Sequence, residues 1–356
     1  MSIARTGPNR EPAMASNRSR VIEALLNSGE PSIRWKMRVR VGGEDPESQK
    51  IRDLREEIRK SPRAQTLLAG RDKHPVREEY VYAKWRGAHW TLAALADIGY
   101  PEGDKALLPM CKQVLDQWLG ASFYSEFELK SGFSKNRRAG GAPIIRGRYR
   151  HHASQQGNAL LSLIRLGLAD TGRKQLAELL LRWQWPDGGW NCDRNPSADT
   201  SSFMESLLPM RALFAHAEQT GDKSARAAAM RAAEIFLTRR IFKRRSDGKV
   251  IHPNFLTFHY PLYWHYDVLG GLVAMAEMGL IKDPRCGDAL DLLERKELPK
   301  GGWAAGGRFY KVSANTDLST RPGSLSLVDW GGSGHTRMNE WATADALYVL
   351  KAAARL

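Results

Sequence analysis

The stretch Trp183-Gln184-Trp185-Pro186-Asp187-Gly188-Gly189-Trp190-Asn191-Cys192-Asp193-Arg194 constrains the fold of this chain more than any other. Upstream of it, Leu176, Leu179, Leu180 and Leu181 give a helical pattern over 174–182. Pro186 stops that helix, and Gly188-Gly189 permits a tight reversal. Downstream, Asp199 or Thr200 can cap a helix that carries Phe203, Leu207, Met210 and Leu213. A weaker copy, Pro299-Lys300-Gly301-Gly302-Trp303, follows a helical pattern at 288–295. The repeating unit is therefore helix, Gly-Gly-Trp loop, helix.

The rest of the chain keeps this rhythm. Residues 18–28 read as a short amphipathic helix, and 46–69 as one or two charged helices broken near Pro62. Helical pairs follow at 89–99 with 103–119, 152–167 with 171–183, 200–219 with 222–242, and 263–279 with 284–297, before a last helix over 339–354. Strand signals are almost absent. The pairs recur unevenly, at roughly 50 to 75 residues, which excludes a uniform solenoid. The prediction is an all-α toroid, a closed ring of five or six helical hairpins, forming one domain over 17–356 with 1–16 disordered. Long loops at 121–150 and 304–335 are of a length that often serves function. In such a ring the inner helices aim their N-terminal ends at one mouth. The polar starts fall there: His151-His152, Cys192-Asp193-Arg194, His259 with His265-Tyr266-Asp267, and Asn339-Glu340-Trp341.

The net charge of +15 favours an anionic partner, unless it only solvates loops and faces. The excess concentrates at 34–40, at 135–150, and at Arg239-Arg240 with Lys243-Arg244-Arg245. No zinc-finger spacing, RNA-recognition motif or basic zipper accompanies it, so nucleic acid is not the favoured partner. No apolar run is long enough to span a bilayer. Cys111, Cys192 and Cys286 are scattered, and no continuous apolar signal segment opens the chain, which together predict the cytoplasm.

Gln184-Trp185-Pro186-Asp187-Gly188-Gly189-Trp190 resembles the Gln–Trp motif of squalene-hopene cyclases and related triterpene cyclases. Asp199 through Pro209 resembles the helix start that carries zinc ligands in protein prenyltransferase beta subunits. Tyr263 through Leu272 resembles the later helix that supplies the zinc-binding histidine of that family, and His151-His152 falls where it places a histidine near the prenyl diphosphate. The likeness covers 80–354, extends to bacterial proteins described as squalene-cyclase-like, and implies an alpha-alpha toroid. The departures are as informative. No two aspartates are adjacent, so neither the Asp-x-Asp-Asp acid of protonating cyclases nor the Asp-Asp-x-x-Asp magnesium motif of terpene synthases is present. Thr200 or Ser201 stands where the prenyltransferase zinc motif has cysteine.

Several candidate residues follow. Cys192, Asp193 and His265 could replace the family's zinc ligands, since thiolate, carboxylate and imidazole all suit that ion; zinc is the one cofactor the residues point to. His265, with Tyr266 and Asp267, offers acid–base chemistry, as does Asp193; Asp267 alternatively caps its helix. Glu205 is a candidate base or an arginine partner. His152, Gln155 and Asn158 share a helical face behind Arg146, Arg148 and Arg150; with His151, Arg194 and His259 they could bind an anionic group. Trp90, Trp190, Trp264, Trp330 and Trp341 either line an apolar cavity or clamp the core. The leading expectation is an enzyme of isoprenoid or related specialised metabolism, acting in a central cavity on an apolar small molecule with an anionic end. A polysaccharide lyase or hydrolase on an acidic sugar is the second reading, and a non-catalytic nucleic-acid- or partner-binding protein the third. An apolar aromatic cavity favours the first, an open polar groove the second, and an exterior basic stripe the third.

Overall fold

The computed structural model describes residues 10–69, 81–129, 141–312 and 323–356. Burial decides which helices face the axis. Helices α8 (Ala153–Arg165), α10 (Phe203–Thr220), α12 (Val268–Glu277) and α14 (Glu340–Ala352) are buried almost all round. Helices α3 (Gln49–Lys60), α9 (Asp170–Arg182) and α13 (Gly287–Arg295) bury one stripe each, such as Ile51, Leu54 and Ile58 on α3. The first kind is an inner helix and the second an outer one. Helices α5 (Ala88–Asp97) and α2 (Pro31–Trp35), the latter continued by a π-helical turn over Lys36–Val41, complete the inner ring. Outside them lie α1 (Arg10–Leu26), α4 (Pro62–Leu68), α6 (Leu108–Trp118), followed by the single turn α7 (Ala121–Tyr124), and α11 (Lys223–Leu237). Among the described residues these helices form an alpha-alpha toroid of six hairpins. α1 begins at Arg10, inside the segment whose composition predicts disorder. No described helix is long and apolar enough to cross a membrane.

All inner helices start at the same end of the ring. Apart from the four-residue link before α2, the segments that precede them are long, as at 183–202, 238–267 and 296–339, whereas the opposite end is closed by short turns such as Gly221-Asp222. Two small additions decorate the long-loop face. Strand β1 (Glu126–Glu128) pairs in parallel with β2 (Ala142–Ile145), which turns back antiparallel to β3 (Arg148–Tyr149); β4 (Lys311–Val312) pairs with β5 (Leu325–Ser326).

The Gly-Gly-Trp repeat survives at the level of single hydrogen bonds. Trp190 donates its indole N–H to the Leu180 carbonyl of the preceding outer helix, and its backbone N–H to Ser206 Oγ of the following inner one. Trp303 does the same to the Leu293 carbonyl and to Thr343 Oγ1. Each buried tryptophan thus clamps an outer helix to the next inner helix, and polar ends are satisfied where apolar area is buried. In the first copy Gln184 adds bonds to the carbonyls of Gly188 and Ala228, and Asp187 holds Ser201. Gly157 lets α8 and α10 lie unusually close, because a Cβ there would sit 2.4 Å from the Pro209 nitrogen. Pro209 lacks an N–H, so α10 forgoes one helical bond at that crossing.

Towards the short-turn end, every inner element contributes a charge to one buried network. Glu277 of α12 accepts from Arg40, Arg165 and Arg211 at 2.7–2.9 Å. Asp345 of α14 accepts from Lys36 and Arg40, and Asp97 of α5 from Lys36 and the Tyr260 hydroxyl. Lys36 is almost wholly buried, with the rings of Tyr260 and Trp341 at 5.2 and 5.8 Å. Burial alone raises the Glu277 pKa, but Arg211, Arg165 and Arg40 outweigh it and hold the group far below the usual carboxylate range. A depressed pKa contributes stability that is complete above the unfolded-state value and is lost as pH falls through it towards the folded one. Glu277→Gln should therefore cost about 3–5 kcal/mol in urea unfolding at neutral pH, because three buried guanidinium groups lose their counter-charge. The deficit should shrink progressively below about pH 4, where the carboxyl of the unfolded wild type takes up a proton while that of the folded protein stays ionised.

Candidate functional site

The close α8–α10 crossing brings two helix starts together at the long-loop mouth. Ser202 is the N-cap of α10, its hydroxyl accepting from the Glu205 N–H, so Ser202-Phe203-Met204-Glu205 has the spacing of a capping box. The Glu205 side chain instead crosses to α8. Its Oε2 accepts the Ser154 N–H at 2.9 Å, and Oε1 lies 3.2 Å from His152 Nδ1. Glu205 is buried and His152 is exposed, so the pair joins a fixed carboxylate to an imidazole that solvent reaches. Burial raises the Glu205 pKa, yet His152 and Ser154 outweigh it and leave the carboxyl below its usual value. Cys192 joins them: one ligand atom each from His152, Cys192 and Glu205 lies within 4.8 Å of the others. Burial, then Glu205, pushes the Cys192 thiol well above its usual pKa. Tyr82 lies against Gln155 beside this group, and burial pushes its phenol up to about 12, keeping it a neutral donor.

A basic rim adjoins the trio. Arg150 is 2% exposed, donates to the Asp193 carbonyl, and stacks on Trp185 at 4.4 Å beside Arg148 at 5.7 Å. Its Nε and Nη2 are buried without hydrogen-bond partners, as is Arg148 Nε. Burial and the neighbouring Arg148 pull the Arg150 pKa below its usual value. Buried cationic donors without acceptors are what an anionic ligand would satisfy. On the same face Arg239, Arg244 and Arg245 line an open groove of about 540 Å³ with Ser201, Ser202 and Phe255.

The remaining predicted residues lie elsewhere or serve the framework. The zinc set Cys192, Asp193 and His265 does not assemble. Along the extended segment after Trp190, neighbouring side chains point to opposite sides: Cys192 turns towards Glu205, while exposed Asp193 accepts the Asn195 N–H in a local turn. His265 belongs to an aromatic plug in the ring's mouth, stacked at 3.4 Å on Phe309 and 4.0 Å on Trp264, and burial pulls its pKa down to about 4. The acid–base grouping of His265, Tyr266 and Asp267 is likewise structural. The Tyr266 hydroxyl donates to the Ile241 carbonyl, and Asp267 caps α12 at Gly270 while accepting the His259 N–H. His151 is buried, stacked on Trp183, and bonded through Nε2 to the Phe123 carbonyl. Arg146 is exposed in the β2–β3 turn, and Arg194 is half-buried in the loop after Cys192. Trp190 clamps helices, Trp341 stacks on Tyr260 beneath Trp330, and Trp264 covers His265.

Trp90 does line a central cavity, as the sequence reading allowed. With Asn158, Leu161, Leu207, Leu269 and Val273 it encloses about 130 Å³ between the plug at 259–263 and the network at Arg40, Asp97, Arg165, Arg211 and Asp345. Asn158 does not turn to the His152 side. Its amide lies 3.0 Å from Nε2 of His89, whose Nδ1 accepts from Trp118. Tyr82, Ser154 and the axial charges carry no signal of these roles in the sequence, whereas His152, Gln155, Cys192 and Glu205 stand out as polar residues near helix starts; the cap of α10 is Ser202, in place of the expected Asp199 or Thr200.

No family model and no curated protein matches the chain. Among solved structures it is similar to a protein from Actinoplanes at 17% identity, over 96% of this chain and 99% of that one, with a TM-score of 0.45. It is also similar to a UGL variant with dGlcA-Glc-Rha-Glc at 13% identity, over 90% of this chain and 84% of that one, with a TM-score of 0.41. Likeness of this degree carries no argument about activity.

The framework role of Asp267 has a direct check. Asp267→Ala removes the α12 cap and the acceptor for His259, and should lower the urea unfolding free energy by about 2 kcal/mol. An unchanged denaturation midpoint would restore Asp267 to the list of groups kept for chemistry.

Proposed function

We propose that the chain is an enzyme acting at its open, loop-bearing mouth on a polar, anionic substrate of the acidic-sugar class, by hydrolysis or elimination. The observation that carries this reading is the juxtaposition of the His152–Glu205 pair with Arg150, whose guanidinium bonds the Asp193 carbonyl through Nη1 and leaves Nε and Nη2 without partners. Glu205, fixed by Ser154, orients the His152 imidazole and leaves its Nε2 towards solvent as the group that takes or gives a proton. Arg150, with Arg148, anchors a carboxylate or phosphate, and the groove at Arg239, Arg244 and Arg245 extends the basic surface for a longer polyanion. The interior speaks against an isoprenoid substrate: about 130 Å³ is small beside the roughly 300–1,000 Å³ of ordinary ligand pockets, and charged residues floor it.

Uronic-acid polysaccharides supply the test, with turnover followed by new reducing ends and by the absorbance of new carbon–carbon double bonds. Turnover should fall by about 100-fold or more in His152→Ala and Glu205→Gln. Arg150→Met should chiefly raise KM and flatten its dependence on salt. Turnover that is unchanged in all three variants, or that is confined to uncharged apolar substrates, would overturn the reading.

A further inference from the structure

We infer that His152 Nδ1, Cys192 Sγ and Glu205 Oε1 form a binding site for one divalent metal ion, with zinc the best match. These three side chains come from three separate segments: the N-cap of α8, the loop after Trp190, and the first turn of α10. One ligand atom from each residue lies within 4.8 Å of the others, and His152 Nδ1 to Glu205 Oε1 is already 3.2 Å. Around a tetrahedral zinc with bonds of roughly 2.0–2.3 Å, ligand atoms are about 3.3–3.8 Å apart. A modest turn of the Cys192 side chain therefore closes the set. The donors are one imidazole, one thiol and one carboxylate, a mixture that suits zinc better than magnesium or calcium.

The surroundings fit an ion in two further ways. The Ser154 N–H fixes Glu205 Oε2 and so leaves Oε1 as the free ligand, the support that metal-binding carboxylates usually have. Exposed His152 keeps one side of the trio open, as a fourth position for substrate or solvent requires. Two features oppose a cation: the partial positive charge at the starts of α8 and α10, and the nearby Arg150. Against them stand the full charges of Glu205 and a Cys192 thiolate at bonding distance, which balance a doubly charged ion, so the ligands win. On binding, the Cys192 S–H bond breaks, a sulfur–metal bond forms, and the proton leaves to solvent. The His152 proton, which faces Glu205 on Nδ1, is exchanged through solvent to Nε2, so that the neutral imidazole ligates through Nδ1.

This set differs from Cys192, Asp193 and His265 in two of its three members. As a binding site it stands on its own geometry; as an active-site ion it rests on the acidic-sugar reading above, with a Lewis-acid centre beside Arg150 taking the place of proton transfer at His152, because Nδ1 and Oε1 are then ligated and Nε2 holds its proton.

The test uses the full-length protein, stripped with a chelator and titrated with Co²⁺ and then Zn²⁺. One equivalent of Co²⁺ should bind, with the visible bands of a four-coordinate site and a near-ultraviolet thiolate-to-cobalt transition, and Zn²⁺ should abolish both. Cys192→Ser should lose the thiolate transition, whereas Cys286→Ser, which alters a buried thiol outside the trio, should keep it. Glu205→Gln should weaken Co²⁺ binding by about 10–100-fold, with circular dichroism confirming that each variant is folded. Absence of stoichiometric binding by the wild type, or an unaltered cobalt spectrum in folded Cys192→Ser, would overturn the inference. Binding with these signatures and no turnover of any uronic-acid polymer would leave the metal site standing and refute the acidic-sugar reading instead. Turnover without metal binding would do the reverse.

Discussion

A toroid has to close, and here closure depends on Glu277. Its carboxylate receives guanidinium groups from the π-helical turn, α8 and α10, while Asp97, Asp345 and Lys36 tie in α5 and α14. Helix faces lined with leucine and alanine attract any other such face, so apolar burial alone does not dictate which helix is whose neighbour. Charges buried at one depth do, because a misplaced helix strands an unpaired ion at a cost of several kcal/mol. With four cations and three carboxylates, the network tolerates few alternative arrangements.

With the short-turn end fixed in this way, the long-loop end is free to vary. The tryptophan clamps at Trp190 and Trp303 hold the starts of α10 and α14 against the outer layer. The Gly157–Pro209 contact then draws α8 close enough for Glu205 to reach Ser154. The pocket of His152, Cys192 and Glu205 is thus a consequence of helix packing. Its side chains stand on two inner helices and one clamped loop, which makes their geometry firmer than that of a site built on loops alone.

Much of the fold was legible in the sequence. The paired apolar periodicities and the Gly-Gly-Trp turns predicted hairpins, and Pro186 with Gly188-Gly189 predicted the turn that the structure shows. The site was only half legible. His152, Gln155, Cys192 and Glu205 were each recognisable as polar residues near helix starts, but their partners depend on how far α8 and α10 approach, which no local pattern encodes. The extended run after Trp190 shows why Cys192 and Asp193 part company: alternation sends neighbours to opposite sides. His265 misled for another reason. An imidazole near a helix start satisfies the pattern of an acid–base group, yet stacking between Phe309 and Trp264 uses it as an aromatic plate. The axial ions gave no signal beyond single charges in apolar helices, each as compatible with the outer surface as with the axis.

The central claim is that ligand chemistry belongs to the mouth and not to the barrel's interior. Heteronuclear NMR of the protein, with methyl and histidine-ring labels, addresses it most directly during titration with an acidic oligosaccharide. The account predicts that the His152 ring and residues of 148–155 and 191–205 shift together, while the methyls of Leu161, Leu207 and Val273 around the central cavity stay in place. Shifts confined to those interior methyls, with the His152 ring unmoved, would contradict it.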